Sequence, residues 1–375
     1  DVSRAAEALA GFSNAEADSL RKIIAQKDRQ RQLDDFHDRF MTGAAARGVS
    51  KDQANAVWQM MMSFSGYSFC KPHSASYARV SFQAAFLKTH YPAEFMAGVI
   101  SNQGGFYSTF AYVSEARRMG LVLDPPDVNT SLIRWTGRDR RLQVGLMAVG
   151  GLGQPTMQKI MGCRQTSGFK DMTDFLDRVQ PHEDEIRALI HCGALDRLAT
   201  GHSRTQLLWT LARWKADQRR SPGQADLFAP RRVSRAAISP PVFPPEDATT
   251  RLRREFAVLG FLFSRHPITL FADVIKTMHT VKASRLPGLT GRRVRLAAWL
   301  VTGKVVHTRH GDPMEFLTFD DETGIVETTF FPEPYRRFCH MLDRNRPYLL
   351  AGKVEENWGA VTLTVDRVQA IERRL

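Results

Sequence analysis

The feature that most limits the fold of this chain is a proline-rich stretch at residues 221–247. It contains six prolines, together with several serines and the pair Arg231-Arg232. Proline has no backbone N–H donor and a fixed φ, so this density of proline excludes a helix interior or a central strand. We therefore interpret the stretch as a linker. The 375 residues of the whole chain leave room for two or three domains around it.

Residues 1–120 carry the signals of a helical region. Ser13 with Glu16 and Ser50 with Gln53 match the capping-box pattern that begins a helix. A long charged helix is predicted from residue 15 to about residue 47, and a further amphipathic helix after residue 73. The apolar side chains that we expect to be buried on these two helices are Leu20, Ile24, Phe36, Phe40 and Met41 on the first, and Tyr77, Val80, Phe82, Ala85 and Phe86 on the second.

Two basic side chains, Lys71 and His73, stand where the second of these helices begins. Pro72 is compatible with a first helical turn, which has no partner for the missing N–H. The unpaired N–H groups and partial positive charge of a helix start attract phosphate. The pattern therefore favours a site for a polyphosphate or a DNA backbone. A helix cap with two incidental polar side chains is the alternative.

Residues 121–220 begin with a connector rich in proline and aspartate, followed by a predicted β segment from Trp135 to Leu146. The turn Gly151-Leu152-Gly153 then leads into Gln154-Pro155-Thr156, which opens a helix. This order is typical of a helix-hairpin-helix, whose glycines let the backbone approach a DNA phosphate. A plain tight turn is the alternative. A second such unit is predicted at residues 189–196, followed by Arg204. The candidate duplex-binding residues are Gly151, Leu152, Gly153, Gln154 and Thr156.

Residues 248–290 read as a connector, and residues 291–375 are rich in predicted strands. Three strands, a helix near residues 333–342 and two further strands follow the order of an OB-fold. Such barrels bind single strands by stacking bases on exposed aromatic side chains beside basic ones. Any of these aromatic side chains could instead fill the barrel interior. The candidates for single-stranded DNA are Trp299, Lys304, Arg309, Phe331 and Trp358.

The charge balance favours a polyanionic partner. There are 52 Lys and Arg against 39 Asp and Glu, which gives a formal charge of +13, spread along the chain. Such a distribution suits a basic surface that follows nucleic acid, although a generic basic protein would show it as well. The four cysteines form no C-x-x-C pair, which argues against a structural zinc site and for a reducing compartment. We find no apolar run long enough to span a bilayer.

Several stretches of the sequence carry a family resemblance. Residues 66–77, Gly66-Tyr67-Ser68-Phe69-Cys70-Lys71-Pro72-His73-Ser74-Ala75-Ser76-Tyr77, resemble the fingers region of the C family of bacterial DNA polymerases, the DNA polymerase III alpha type. The resemblance continues through residues 77–96 and reaches upstream to residues 9–13 and 16–22. In that family, helix-hairpin-helix units, a clamp-binding linker and an OB-fold follow the fingers in the order seen here.

The resemblance implies a multidomain α+β protein. Its parts would be helical fingers at 1–120, a tandem helix-hairpin-helix domain at 121–220, a linker at 221–247, a connector at 248–290 and an OB-fold at 291–375. It also implies that Arg21, Lys22, Lys71 and His73 face the incoming deoxynucleoside triphosphate. The linker pentapeptide resembles the segment that docks on the ring-shaped sliding clamp, with a Leu-Phe anchor and polar neighbours. A linker that packs on a neighbouring domain is the alternative. The pentapeptide is Gln224, Ala225, Asp226, Leu227 and Phe228.

Nucleotidyl transfer needs two metal ions held by carboxylates. The acidic pairs and triplets here, at residues 34–35, 183–185 and 320–322, lie in predicted helices or a hairpin turn and suggest no such cluster. In the family, the catalytic aspartates belong to a palm domain that precedes the fingers. The resemblance thus implies Mg²⁺ in a palm outside this chain and no DNA synthesis by the chain alone. The end of the given sequence at the OB-fold favours a shorter member of the family, of an accessory or error-prone type.

The resemblance further implies primer-template DNA, the sliding clamp and the rest of a polymerase chain as partners. It also implies a cytoplasmic, nucleoid-associated location in a bacterium and no membrane partner. A non-catalytic DNA-binding adaptor or repair factor built from the same modules is a different class of protein that the sequence permits. An RNA-binding assembly factor is a third, since OB-folds bind both nucleic acids. Primer extension distinguishes a polymerase from an adaptor.

Overall fold

The computed structural model describes residues 2–25, 30–63, 71–103, 106–220 and 240–372. The chain divides into two compact units, residues 1–84 and residues 85–375. The division falls within one helix, Lys71–His90. None of the helices in the described ranges combines the length and the apolar character needed to cross a membrane.

The first unit is helical. It contains α1 (Val2–Ala10), α2 (Asn14–Ile24), α3 (Gln30–Ala46), α4 (Lys51–Met62) and the start of α5 (Lys71–His90). The capping box of Ser13 is complete: Glu16 N donates to Ser13 Oγ over 3.3 Å, and Ser13 N donates to Glu16 over 2.9 Å. Leu20, Ile24 and Phe40 lie in the core as expected. The single helix predicted from residue 15 to 47 was wrong, because two helices, α2 and α3, occupy that range.

The buried face predicted for α5 is absent. Tyr77, Val80, Phe82 and Phe86 expose 56–79% of their surface, and Ala85 is exposed as well. At 100° per residue, these side chains lie on several sides of the helix rather than on one stripe, so packing against one neighbouring helix could not cover them. The apolar composition of α5 predicted a buried face, whereas these side chains lie at the surface of the helix.

The second unit begins with helices and a small sheet. α6 (Pro92–Ser101) and α7 (Thr109–Arg118) precede the strands β1 (Val122–Asp124), β2 (Thr136–Arg138) and β3 (Arg141–Gln143). The strands form a three-stranded sheet in the order β1-β3-β2, with β1 parallel to β3. The predicted β segment therefore consists of two short strands, and Trp135 is buried beside them.

A helical layer follows the small sheet and shares its core. Its members are α8 (Gln154–Thr166), α9 (Met172–Val179), α10 (Glu183–His191) and α11 (Arg204–Arg220). Leu142 from β3, Ile160 from α8, Phe175 from α9 and Ile186 from α10 are completely buried in it. Beyond residue 240, α12 (Ala248–Leu259) and α13 (Ala272–Lys276) lead to the C-terminal sheet.

The C-terminal sheet is a closed barrel. Its strands are β4 (Arg293–His307), β5 (Pro313–Asp320), β6 (Ile325–Phe330), β7 (Pro347–Asn357) and β8 (Ala360–Ala370), closed in the order β4-β5-β6-β8-β7. α14 (Pro332–Phe338) lies between β6 and β7. Alternate side chains, such as Leu317 and Phe319 of β5, fill the interior. The strand-helix order confirms the OB-fold, and with the helical regions it confirms the α+β class.

Buried charges join the barrel to α7 and to the segment that precedes α13. Asp320, at the end of β5, is completely buried, and its Oδ1 lies 3.1 Å from Nε2 of His266. Its Oδ2 lies 3.6 Å from Nη1 of Arg118 on α7. Beside this pair, burial lowers the pKa of Arg117 to about 10, although Glu255 and Asp320 oppose the effect. Charges buried at such a junction are costly to separate, so they hold the barrel against α7.

Candidate nucleic-acid interface

The first predicted hairpin is a tight turn between a short 3₁₀ segment (Leu146–Ala148) and α8. Gly151 has φ of +82°, and a side chain there would meet open space, so the turn is exposed at this residue. Leu152 is buried and anchors the turn from below. Within the described residues, the backbone N–H groups of Gly151, Gln154 and Thr156 have no acceptor. Three free donors at the start of a helix are the arrangement that binds a phosphate.

Glu185 of α10 holds the turn in place. Its carboxylate accepts hydrogen bonds from Gly153 N, Thr156 Oγ1 and His182 N, each over 2.9 Å. Burial alone would raise the pKa of this carboxyl, but the hydrogen bonds outweigh burial and lower it. Two of the predicted duplex-binding groups, Gly153 N and the Thr156 hydroxyl, thus bond to Glu185. The sequence offered a signal for this residue only as part of an acidic triplet.

Replacing Glu185 with glutamine is expected to lower the free energy of unfolding by about 1–2 kcal/mol, because an amide accepts hydrogen bonds less strongly than a carboxylate. Since the folded pKa lies below the ordinary 4.5, this contribution is present above pH 4.5 and is lost as the pH falls through the lowered value. Urea unfolding at pH 7 and pH 4 measures both effects. Asp184→Asn, which changes an exposed carboxylate in the same turn of α10, is the control. Equal losses in the two variants would contradict the role of Glu185.

The second predicted hairpin, between α10 and α11, packs against the side chain of Arg204. Gly193 has φ of +84°, and a Cβ there would lie 2.2 Å from the guanidinium of Arg204. Arg204 is buried and donates to Asp196 Oδ2 and to the carbonyl of His191, each over 2.7 Å. Glycine is required here because an internal arginine comes so close to the backbone.

The predicted nucleotide-binding residues lie in the first unit. Arg21 and Lys22 are exposed on α2, and each forms an ion pair of 2.8 Å with Asp18. The hydrogen bonds that Lys22 and Arg21 donate lower the pKa of the Asp18 carboxyl. Lys71 is the first residue of α5, and His73 is exposed in its first turn. Within the described residues, no hydrogen bond or ion pair joins Arg21 or Lys22 to His73.

One of the five single-strand candidates was wrong. Trp299 of β4 is 3% exposed, and its ring lies 5.6–6.2 Å from the rings of Phe110, Phe256 and Phe271. Its Nε1 donates to the carbonyl of Arg344 over 2.8 Å. An indole enclosed in this way cannot stack on a base. The outer face of this part of β4 is covered by α7, α12 and the segment before α13, which the alternation of a single strand could not reveal.

Trp358, unlike Trp299, has its side chain in solvent. It is fully exposed at the tip of the β7-β8 hairpin and has φ of +53°, followed by Gly359 with φ of +80°. Two successive positive φ values define the type I′ turn of a tight hairpin. A bulky residue rarely occupies this conformation, and such outliers often mark functional sites. The indole is therefore a free stacking surface.

The other single-strand candidates are exposed, and the structure adds one more. Lys304 and Arg309 are exposed on β4 and in the β4-β5 connection, and Phe331 is 47% exposed. Phe316 of β5 is 45% exposed and is the cross-strand partner of Lys304. A basic and an aromatic side chain on neighbouring strands suit a backbone and a base. Phe316 is not among the residues predicted from the sequence, because its exposure depends on the strand register.

The clamp pentapeptide, residues 224–228, lies outside the described residues. Within the part of the chain that is described, no group of three His, Cys, Asp or Glu side chains could hold a metal ion. These described residues therefore do not offer the carboxylate ligands that two-metal chemistry needs.

Two family models match the chain. A model described as a helix-hairpin-helix motif matches residues 120–207, and one described as an OB-fold nucleic acid binding domain matches residues 299–371. These matches define a chain that contains a helix-hairpin-helix motif and an OB-fold of the nucleic-acid-binding type.

Longer relatives match almost the whole chain. The DNA polymerase III subunit alpha of Vibrio cholerae is 31% identical over 94% of this chain and 31% of its own length. That of Thermus aquaticus is 32% identical over 95% of the chain and 30% of its own length. The error-prone DNA polymerase of Symbiobacterium thermophilum is 28% identical over 98% of the chain and 38% of its own length. The chain is thus related to the C family of bacterial DNA polymerases, and it spans about a third of the length of these relatives.

Proposed function

We propose that the chain is the C-terminal, DNA-handling part of a DNA polymerase III alpha-type, DNA-directed DNA polymerase that acts in replication or translesion repair synthesis. The similarity to such polymerases over about 95% of the chain carries the proposal. The formal charge of +13 and the two nucleic-acid-binding modules agree with it. The protein would act in the bacterial cytoplasm, at the nucleoid.

The two modules would hold different parts of a primer-template. The free N–H groups of Gly151, Gln154 and Thr156 would bind the phosphates of duplex DNA, which hold a duplex without reading its sequence. The barrel would bind the single-stranded template, with Trp358 and Phe331 stacking on bases and Lys304 and Arg309 near phosphates. Because the module contacts are largely to phosphates, binding would weaken steeply with salt.

The first unit would contribute to the nucleotide site. Arg21, Lys22, Lys71 and His73 would face the incoming deoxynucleoside triphosphate, as the family resemblance implies. The exposed apolar side chains of α5 would contact the rest of the polymerase chain. The Mg²⁺ ions would be held by a palm domain outside this chain.

Residues 224–228 would dock the sliding clamp through Leu227 and Phe228. Such tethering would raise the effective concentration of the DNA-binding modules at the primer end without new DNA contacts.

A DNA-binding assay with and without the clamp tests the proposal. The chain is expected to bind primer-template DNA without extending it, and added clamp is expected to tighten binding by about 100-fold or more. Leu227→Ala with Phe228→Ala should abolish the effect of the clamp at unchanged affinity for bare DNA. Joining the chain to a preceding palm segment should give primer extension. A full-length protein without a carboxylate cluster in that segment would instead be an adaptor, and the polymerase assignment would fall.

A further inference from the structure

A basic pocket of about 410 Å³ lies on the outer surface of the barrel, where β4 begins beside β7. Its lining includes His279, Leu289, Arg292, Arg293, Arg295 and Gly352. One wall is the segment that precedes β4, because Val281 N donates to the carbonyl of Arg295 over 2.8 Å. The floor is a β-bulge at residues 351–352. A Cβ on Gly352 would lie 2.1 Å from the carbonyl oxygen of Thr364, so the floor carries no side chain there.

Like charges are concentrated around this pocket. Arg293 is the direct cross-strand partner of Lys353, and Arg295 is paired with Ala351, whose other partner is Arg367. Like charges directly opposite each other in a sheet are destabilising. Asp366 forms an ion pair with Arg293, and Glu355 lies 3.8 Å from Lys353. These two ion pairs offset part of the repulsion between Arg293 and Lys353.

Two of the guanidinium groups are available to a ligand. Arg292 and Arg295 are exposed, and within the described residues neither forms an ion pair with a carboxylate. Arginine binds phosphate through paired N–H groups and remains charged at any physiological pH. Except for His279, the lining contains no aromatic ring. The pocket thus suits phosphate groups rather than stacked bases.

The position of the pocket separates it from the other DNA candidates of the barrel. Arg292 to Arg295 lie beside β7, whereas Lys304 pairs with Phe316 on β5, the other neighbour of β4. Trp358 is six residues beyond Gly352 along β7 and its turn, a distance of roughly 20 Å for an extended chain. A single strand stacked on Trp358 could therefore reach the pocket along the β7 side.

We infer that the pocket formed by His279, Arg292, Arg295 and the Gly352 bulge binds backbone phosphates of single-stranded DNA, as a second contact on the β7 side of the barrel. This inference rests on the proposed role of the barrel in binding single strands. The pocket would be a DNA contact separate from the exposed aromatic side chains of the barrel and from Lys304 and Arg309.

Salt-dependent binding of a labelled 12-nucleotide oligo(dT) to the whole chain, measured by fluorescence anisotropy, tests the pocket. Each phosphate neutralised on a single strand contributes about 0.7 to the slope of log affinity against log salt. Arg292→Gln with Arg295→Gln should therefore reduce the slope by about 1.4, which corresponds to a loss of roughly 70-fold at 50 mM salt and almost none at 1 M. Arg344→Gln, an exposed arginine elsewhere on the barrel, should leave the slope near that of the unaltered chain.

The controls distinguish this inference from the proposed function. Trp358→Ala should weaken binding while leaving the slope unchanged, because it removes stacking and no charge. If Trp358→Ala weakens binding but the double variant binds with the original slope, the pocket inference is wrong and the single-strand role of the barrel stands. If pyrophosphate binds the pocket while the double variant keeps full oligonucleotide affinity, the site is one for free polyphosphate and the DNA assignment is overturned. Unchanged melting temperatures establish that the variants are folded.

Discussion

Trp299→Ala is expected to lower the free energy of unfolding by about 3–5 kcal/mol, the usual cost of removing a buried aromatic side chain. The indole is enclosed by Phe110, Phe256 and Phe271, and its N–H has a partner in the carbonyl of Arg344. The loss includes the packing that joins β4 to α7 and α12. Thermal or denaturant unfolding of the purified chain measures it.

Trp358→Ala is the matched control, since it is the same substitution in the same barrel. The side chain is fully exposed at a hairpin tip, so stability should change by less than about 0.5 kcal/mol. Affinity for oligo(dT) should fall by about 5- to 150-fold, because base stacking on an aromatic side chain contributes about 1–3 kcal/mol. Trp299→Phe, which keeps an apolar ring but loses the N–H donor, should lie between the two in stability. A reversal, with Trp358→Ala destabilising and Trp299→Ala silent, would contradict the assignment of the two tryptophans.

The stability of the second unit is expected to fall as the pH rises from 5 to 8. Burial raises the pKa of Glu255 on α12 from 4.5 to about 7, although the N–H of Phe263 and the nearby charges of Arg204, Arg251 and Arg117 oppose this effect. A carboxyl that binds its proton more tightly when folded stabilises the fold below its ordinary pKa, and this contribution is lost as the pH rises through the folded value. Since a tenfold change in proton affinity corresponds to about 1.4 kcal/mol, the loss amounts to about 3 kcal/mol.

Glu255→Gln isolates this effect. Glutamine retains an oxygen that can accept the hydrogen bond that Phe263 N donates over 2.9 Å, but it cannot ionise. The difference in unfolding free energy between the two proteins should therefore grow from pH 5 to pH 8, with the variant the more stable at pH 8. Taking the difference removes the contributions that are common to both proteins. Parallel curves over this range would show that Glu255 has an ordinary pKa.

The Asp320 junction has a consequence for DNA handling. Asp320, His266 and Arg118 bring the barrel, the segment before α13 and α7 together at a buried site. The helix-hairpin-helix layer and the barrel lie in the same compact unit, residues 85–375. In the proposed function, one primer-template would contact both modules, so binding to one would favour binding to the other.

The sequence by itself determined the local features of this protein. Capping residues such as Ser13, the Gly151–Gly153 turn and the alternation of the C-terminal strands depend on short-range chemistry, and the structure contains each of them. The order of these features and the resemblance of residues 66–96 to C-family polymerases identified the relatives. Local backbone preferences act within a few residues, which is why the chain alone discloses them.

Only the tertiary structure decided which of these residues face solvent. Trp299 and Trp358 have the same side chain in the same barrel, yet α7 and α12 cover the first and the β7-β8 turn exposes the second. Glu185, Phe316 and the arginines beside Gly352 acquire their importance from residues far away in the sequence. Burial and charge depend on what the fold brings alongside a side chain, and the pattern of a single helix or strand does not contain that information.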